Sequence, residues 1–200
     1  EGQVSLLSYY RVFLGQTEFL LRFWKSLGLS LCIAGAQVAV STLAGYGFAR
    51  FRFRGKNVLF ALLIFTIIVP VQTYMIPLYV EFKNFDYFGI GSLIGLFTGK
   101  TLQTSLVNSN LPFYIMAALG AGIRSGLYIF MLRQFFMAMP KELDEAASID
   151  GCSPLKTFFS VVLPLMKPTL ISVAILEIMW VWNDYLLPYL VLDMTKYRTL

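Results

Sequence analysis

Uncharged apolar runs set the rhythm of this chain. Residues 26–49 carry no charge and lie between Lys25 and Arg50, and residues 57–80 are likewise uncharged between Lys56 and Glu81. A third apolar run covers about 110–132 with Arg124 inside it, and a fourth covers about 168–192 with Glu177 and Asp184 inside it. A helix needs about 20 apolar residues to cross roughly 30 Å of hydrocarbon. The pattern therefore predicts four membrane spans, in an all-α polytopic transmembrane helix bundle read as a single domain over 1–200.

The interval 134–167 breaks the pattern. Glu142, Asp144, Glu145 and Asp150 gather there, just before the fourth apolar run. Pro140 suits the first turn of a helix, where its missing N–H costs nothing. The acids that follow suit the positive end of the helix dipole. Leu143, Ala146, Ala147 and Asp150 have the i, i+3, i+4, i+7 spacing of one helical face. Gly151 is placed to end that helix in the left-handed conformation. Ser153 then caps a second helix with Pro154 at its first position, running to about Val162 before Leu163 and Pro164 break the chain. Such short helices are unstable alone, so the loop is predicted to dock into a groove on a partner. Helices that lie on the cytoplasmic leaflet favour Lys and Arg. This one is acidic, which points to a protein surface.

Composition agrees with a membrane class: 58% of residues are hydrophobic and only 14% charged, too few charges to coat a soluble domain of this length. Histidine is absent, which removes the commonest metal ligand and acid–base catalyst. Cys32 and Cys152 are too far apart in sequence for a CxxC site. The net charge of +5 fits membrane topology rather than nucleic-acid binding. Arg50, Arg52, Arg54 and Lys56 form a short basic loop, expected to be cytoplasmic. Threading from it puts residues 81–108 outside and the acidic interval inside. Residues 5–15 and the apolar piece inside 81–108 are too short to span and are expected at the interface or tucked into the bundle. The chain starts at Glu1, and the expectation is that it is trimmed.

Several residues in the apolar runs carry candidate chemistry. Residues 95–101 resemble a phosphate-binding loop but have three residues, not four, before the Gly-Lys pair. Ala118, Gly122 and Gly126 recur every fourth residue, a spacing that lets helix backbones approach. Pro70 and Pro77 either bend the second span or hinge it. Arg124 needs a polar partner or a wet path at mid-bilayer, or else snorkels to the surface. Trp180, Asn183 and Asp184 offer aromatic planes, an amide and a carboxylate to a polyhydroxylated solute, although aromatic residues also populate the headgroup belt and Asp184 is able to pair with Arg124. Glu177 lies deeper on roughly the same face. The possible solute path is thus Arg124, Glu177, Trp180, Asn183 and Asp184.

The acidic interval also carries a long spaced motif. Glu145, Ala146, Ala147, Gly151, Leu163 and Pro164 match the EAA loop of ABC-importer permeases, EAA-x3-G-x9-I-x-LP, with Val161 where isoleucine is usual. Further stretches around residues 46–56, 69–79, 132–136 and 182–188 are similar to the carbohydrate-importer, MalG-like subgroup. The resemblance implies a bacterial cytoplasmic-membrane permease, multi-pass, with six spans of which four are visible here. It implies a second permease subunit, two cytoplasmic ATPase subunits and an extracytoplasmic solute-binding protein as partners. ATP would be held by the ATPase subunits, leaving this chain without a cofactor and without enzymatic chemistry. Its coupling residues would be Glu142, Leu143, Glu145, Ala146, Ala147, Asp150, Gly151, Leu163 and Pro164. The alternatives are a permease for a non-sugar solute and an ion-coupled secondary transporter using Glu177 and Asp184.

Overall fold

A computed structural model describes residues 17–98 and 103–193, and in those residues the backbone is helical apart from turns and a single β-bridge between Phe85 and Thr104. The long apolar run at 26–49 lies inside α1 (Thr17–Arg50). Among the described residues this is the one unbroken helix long and apolar enough to cross a membrane. Two further pairs of helices meet that test only when joined across a bend.

The second expected span is one of these pairs. α2 (Lys56–Ile68) and α3 (Val71–Lys83) meet at 102°. Pro70 causes the break: it has no N–H to donate and it drives Val69 into an extended conformation, φ −68° and ψ 122°. Pro77, by contrast, is absorbed inside α3.

The expected third span is likewise two helices, α5 (Leu111–Ala118) and α6 (Ser125–Ala138), which follow the short α4 (Ile90–Thr98). Gly120, at φ +64°, closes α5, with Gly120 N–H donating to Ala117 O and Ala121 N–H to Met116 O. These crossed bonds satisfy carbonyls that the ended helix leaves free. Arg124 thus precedes the first residue of α6 and is not a mid-helix charge. α4 itself is short, and Ile90, Leu93, Leu96 and Phe97 on it are exposed. Residues 5–15 lie outside the described residues, and the resemblance to a phosphate loop at 95–101 runs into residues that are also outside them.

α7 (Glu142–Ile149) and α8 (Pro154–Leu165) form the polar loop, and α9 (Lys167–Asn183) follows after a 77° bend. α8 outlasts its expected end at Val162. A π-helical turn at Phe158–Val162 resets the ladder, so Pro164 falls at the start of the next short turn, where its missing donor is harmless. The fourth expected span is interrupted at Asp184, beyond which α10 (Leu186–Val191) is a separate helix.

Two apolar cores result. One joins Ile33 of α1, Met75 and Phe82 of α3, Phe113 and Met116 of α5, and Leu187 and Val191 of α10. The other joins Tyr46 of α1, Tyr128, Leu132 and Phe136 of α6, Phe158 and Val162 of α8, and Val173 of α9. α2 buries none of its side chains within the chain, leaving Val58, Leu62, Phe65 and Ile68 exposed.

Candidate functional site

The acidic interval folds as a helix–turn–helix. α7 begins after Pro140, with Glu142, Asp144 and Glu145 in its first turn, where the dipole favours them. It ends in a Schellman turn: Gly151 stands at φ +74°, Cys152 N–H donates to Ala147 O at 2.9 Å, and Gly151 N–H donates to Ser148 O at 3.1 Å. Ser153 Oγ then accepts the Lys156 N–H at 3.3 Å, capping α8, and Pro154 follows the cap. The Gly151 and Ser153 signals each have a hydrogen bond or a dihedral angle to match, whereas Pro140 lies one residue before the Lys141 cap and not in the first turn.

The faces of α7 divide more sharply than their spacing suggested. Glu142, Glu145, Ala146 and Asp150 are exposed, and so is Ile149, an apolar side chain 86% open. Ala147 is buried and Leu143 half-buried. The two alanines therefore differ: Ala146 faces out, while Ala147 packs within the loop. Leu163 is half-buried and Pro164 exposed on α8. Asp144 turns back toward the bundle, where its carboxylate meets the Arg50 guanidinium at 2.8 Å. Arg50 also donates to the Met139 and Pro140 carbonyls, at 3.2 and 3.4 Å. Behind this pair, the Tyr46 ring packs against Phe158 and Phe136, with centroids 4.8 and 5.4 Å away.

A second site lies further back along α1. Arg124, Glu177, Trp180, Asn183 and Asp184, which the sequence marked as a possible path, all line one cavity of about 290 Å³. Arg124 and Asp184 do not form an ion pair among the described residues. The Arg124 guanidinium instead stacks over Trp180, 3.5 Å from the ring centroid, an attraction between cation and ring quadrupole. Asp184 Oδ1 accepts the N–H groups of Leu186 and Leu187 at 3.1 and 3.4 Å, so the carboxylate caps the start of α10. Asn183 donates back to Met179 O at 2.7 Å. Glu177 is buried on α9 and interacts electrostatically with Arg124 and with the Tyr128 hydroxyl. A second hollow of about 260 Å³, at the α2–α3 bend, shares Val71, Ile123 and Arg124 with the first.

The opposite wall of the cavity was not anticipated. Ser26, Ser30 and Gln37 reach it from α1 and Gln72 from α3. Gln37 is 1% exposed, yet its Oε1 has no hydrogen-bond partner among the described residues. Its Nε2 donates to Ser125 Oγ, which in turn donates to Gly122 O at 2.7 Å. A Cβ on Gly122 would lie 2.6 Å from Gln37 Oε1, and one on Gly126 would collide with Thr66 Oγ1. The glycines do permit close approach, though Gly122 does so from within the break and Gly126 from α6, not along one helix. A signal for this wall exists: Ser26, Ser30, Gln37 and Ser41 are polar residues four, seven and four apart, a stripe along one face of an oily helix.

Residues 38–197 match the family of binding-protein-dependent transport system inner membrane components. A probable starch degradation products transport system permease protein of Thermoanaerobacterium thermosulfurigenes is 34% identical over 160 residues, 80% of this chain and 50% of the relative. An sn-glycerol-3-phosphate transport system permease protein of Pectobacterium atrosepticum is 33% identical over 177 residues, 88% of this chain and 54% of the relative. An arabinooligosaccharides transport system permease protein of Bacillus subtilis is 30% identical over 197 residues, 98% of this chain and 62% of the relative. The chain spans about half to three fifths of the length of the curated relatives it matches. In three dimensions it resembles a chain of a bacterial ABC transporter involved in the import of the acidic polysaccharide alginate, with a TM-score of 0.68 at 21% identity, covering 98% of this chain and 63% of that one; the fold is shared. A helical membrane bundle with this motif, and a family match over most of its length, make the chain a member of the binding-protein-dependent transport system inner membrane component family.

Proposed function

We propose that this chain is a permease subunit of an ATP-driven importer for a sugar or oligosaccharide. In this reading α7 and the turn at Gly151 are the coupling element. A cytoplasmic ATPase subunit grips the exposed face of Glu142, Glu145, Ala146, Ile149 and Asp150, and its nucleotide-driven closure displaces the loop. The cavity beside Trp180 is this subunit's part of the solute path. A second permease subunit completes the bundle, two ATPase subunits hold and hydrolyse ATP, and an extracytoplasmic binding protein delivers the solute. This chain itself performs no bond-breaking chemistry.

One observation carries the reading. α7 is closed at its C-terminal end by the Gly151 turn, anchored to the bundle by Arg50 at its start, and still leaves carboxylates and an apolar Ile149 exposed. An exposed apolar residue ringed by charge is how a docking surface is built. The neutral-sugar assignment is supported by the relatives named for starch products and arabinooligosaccharides. The relative named for sn-glycerol-3-phosphate favours a second reading, a non-sugar solute that carries a phosphate. The charges in the cavity weigh against that reading: Glu177 and Asp184 outnumber Arg124, which is already stacked on Trp180.

Proteoliposomes containing the complete complex test the proposal. Uptake of a neutral oligosaccharide should require the binding protein and internal ATP, and should survive collapse of proton and sodium gradients. Uptake that follows an ion gradient and ignores ATP overturns it in favour of a secondary transporter.

A further inference from the structure

We infer that Arg50 is a positioning residue, a charged strut that carries displacement of the coupling helix into α1 and so to the cavity wall. The inference rests on the coupling reading above and adds a route to it. Arg50 is the last residue of α1, and its guanidinium meets three groups on both sides of the start of α7. It pairs with Asp144 inside the first turn, at 2.8 Å. It also donates to the carbonyls of Met139 and Pro140, the residues that lead into that turn, at 3.2 and 3.4 Å. A planar fork with several N–H donors is able to make these contacts together, which a lysine ammonium on a flexible stem does less well.

Placement makes the contact a strut and not a surface ion pair. The Arg50 side chain is only 9% exposed, against 26% for Asp144. An exposed pair contributes little and is easily rearranged, whereas a shielded guanidinium held by a carboxylate and two carbonyls is costly to pull apart. Asp144 is the one acid of α7's first turn that turns inward; Glu142 and Glu145 remain exposed. The acids thus divide the labour: the outer ones face the partner and the inner one holds the bundle. From Arg50, α1 runs unbroken back to Gln37, Ser30 and Ser26, which line the cavity. A push on α7 therefore reaches the solute cavity through a single rigid helix, without passing through the bends at Met166 or Pro70.

The test uses the complete reconstituted complex and reads solute transported per ATP hydrolysed, together with cross-linking of the ATPase subunit to a cysteine at position 146. Arg50→Met should lower transport per ATP about tenfold, within the usual range of coupling between two sites, while the ATPase subunit is still captured. Arg50→Lys, which keeps the ion pair, should recover most of the loss. Asp144→Asn should fall between them, and the double variant should be no worse than Arg50→Met alone, since both act through one contact. Asp144→Asn leaves the apolar stem of Arg50 in place and carries the test should Arg50→Met fail to insert. Wild-type transport per ATP in Arg50→Met or, where that variant does not insert, in Asp144→Asn overturns the strut and leaves the coupling reading standing. No capture at position 146 in otherwise wild-type protein overturns the coupling reading, and the strut with it.

Discussion

At the acidic loop, the end of α7 and the start of α8 are closed by nearby groups. Gly151 and Cys152 return hydrogen bonds to Ser148 and Ala147, Ser153 caps α8, and Arg50 spans the entry to α7. Around the cavity, the polar groups are only partly met: Gln37 Oε1 is buried without a hydrogen-bond partner among the described residues, and Arg124 lies on an aromatic face, not on the Asp184 carboxylate that was one alternative. Both regions sit on α1, with Gln37 and Arg50 separated by about 20 Å of rising helix. In the proposed reading this loop is a lever, and its backbone turns are hydrogen-bonded, although, their ion pair aside, Arg50 Nε and Asp144 Oδ1 are buried there without a hydrogen-bond partner among the described residues. In the same reading the cavity must exchange partners with a passing solute, and there the Gln37 amide oxygen is left open while the Trp180 face carries Arg124. In the proposed reading, closed backbone turns mark the transmitting region and an open amide acceptor marks the receiving one.

The largest effect should come from the joint between them. Phe136 is fully buried between Tyr46 and Phe158, and Phe136→Ala should destabilise the detergent-solubilised protein by about 3 kcal/mol, read as a lowered thermal midpoint. Gly126→Val should cost about 1–3 kcal/mol by the same measurement, because the added carbons meet Thr66 Oγ1 and the Leu63 carbonyl.

The next two variants separate the regions directly. Gly151→Val forces a β-branched residue to φ +74° in open space, straining the turn by roughly 1–2 kcal/mol. Its expected signature is transport uncoupled from ATP hydrolysis, with membrane insertion intact. Trp180→Ala should do the reverse, raising the solute concentration for half-maximal uptake several-fold while leaving ATPase capture unchanged. If Trp180→Ala instead mimics Gly151→Val, the division between receiving and transmitting regions fails. The smallest expected effect is from Ser153→Ala, about 1 kcal/mol for a lost helix cap.

The same contrast explains what the sequence could reveal. The Gly151 turn and the Ser153 cap follow local rules that act within four or five residues, so they are legible from residue order alone, while the π-helical turn that carries α8 past Val162 is not. The loop's inward contact is not legible either, because Arg50 and Asp144 meet only after α1 and α6 have packed. The cavity depends on such long-range meetings throughout. Arg124 and the residues of α9 stand out as charges and aromatics in an apolar run, but their opposite wall comes from α1. The break before Arg124 is hidden for another reason: hydropathy averages over Gly120–Gly122 and reports one apolar run where the chain turns. Apolar length alone also conceals the 102° bend at Pro70, since lipid-facing composition is the same for straight and broken helices.

The central claim is that the exposed face of α7 is gripped by an ATPase subunit, and cysteine cross-linking tests it most directly. Ala146→Cys, in membranes that also contain the cognate ATPase subunit with a cysteine in its groove, should give a specific linked pair whose yield changes when ATP is bound. A cysteine at Ala147, which faces inward, should give little. Absence of the Ala146 product under both nucleotide conditions, with both proteins present in the membrane, would contradict the account.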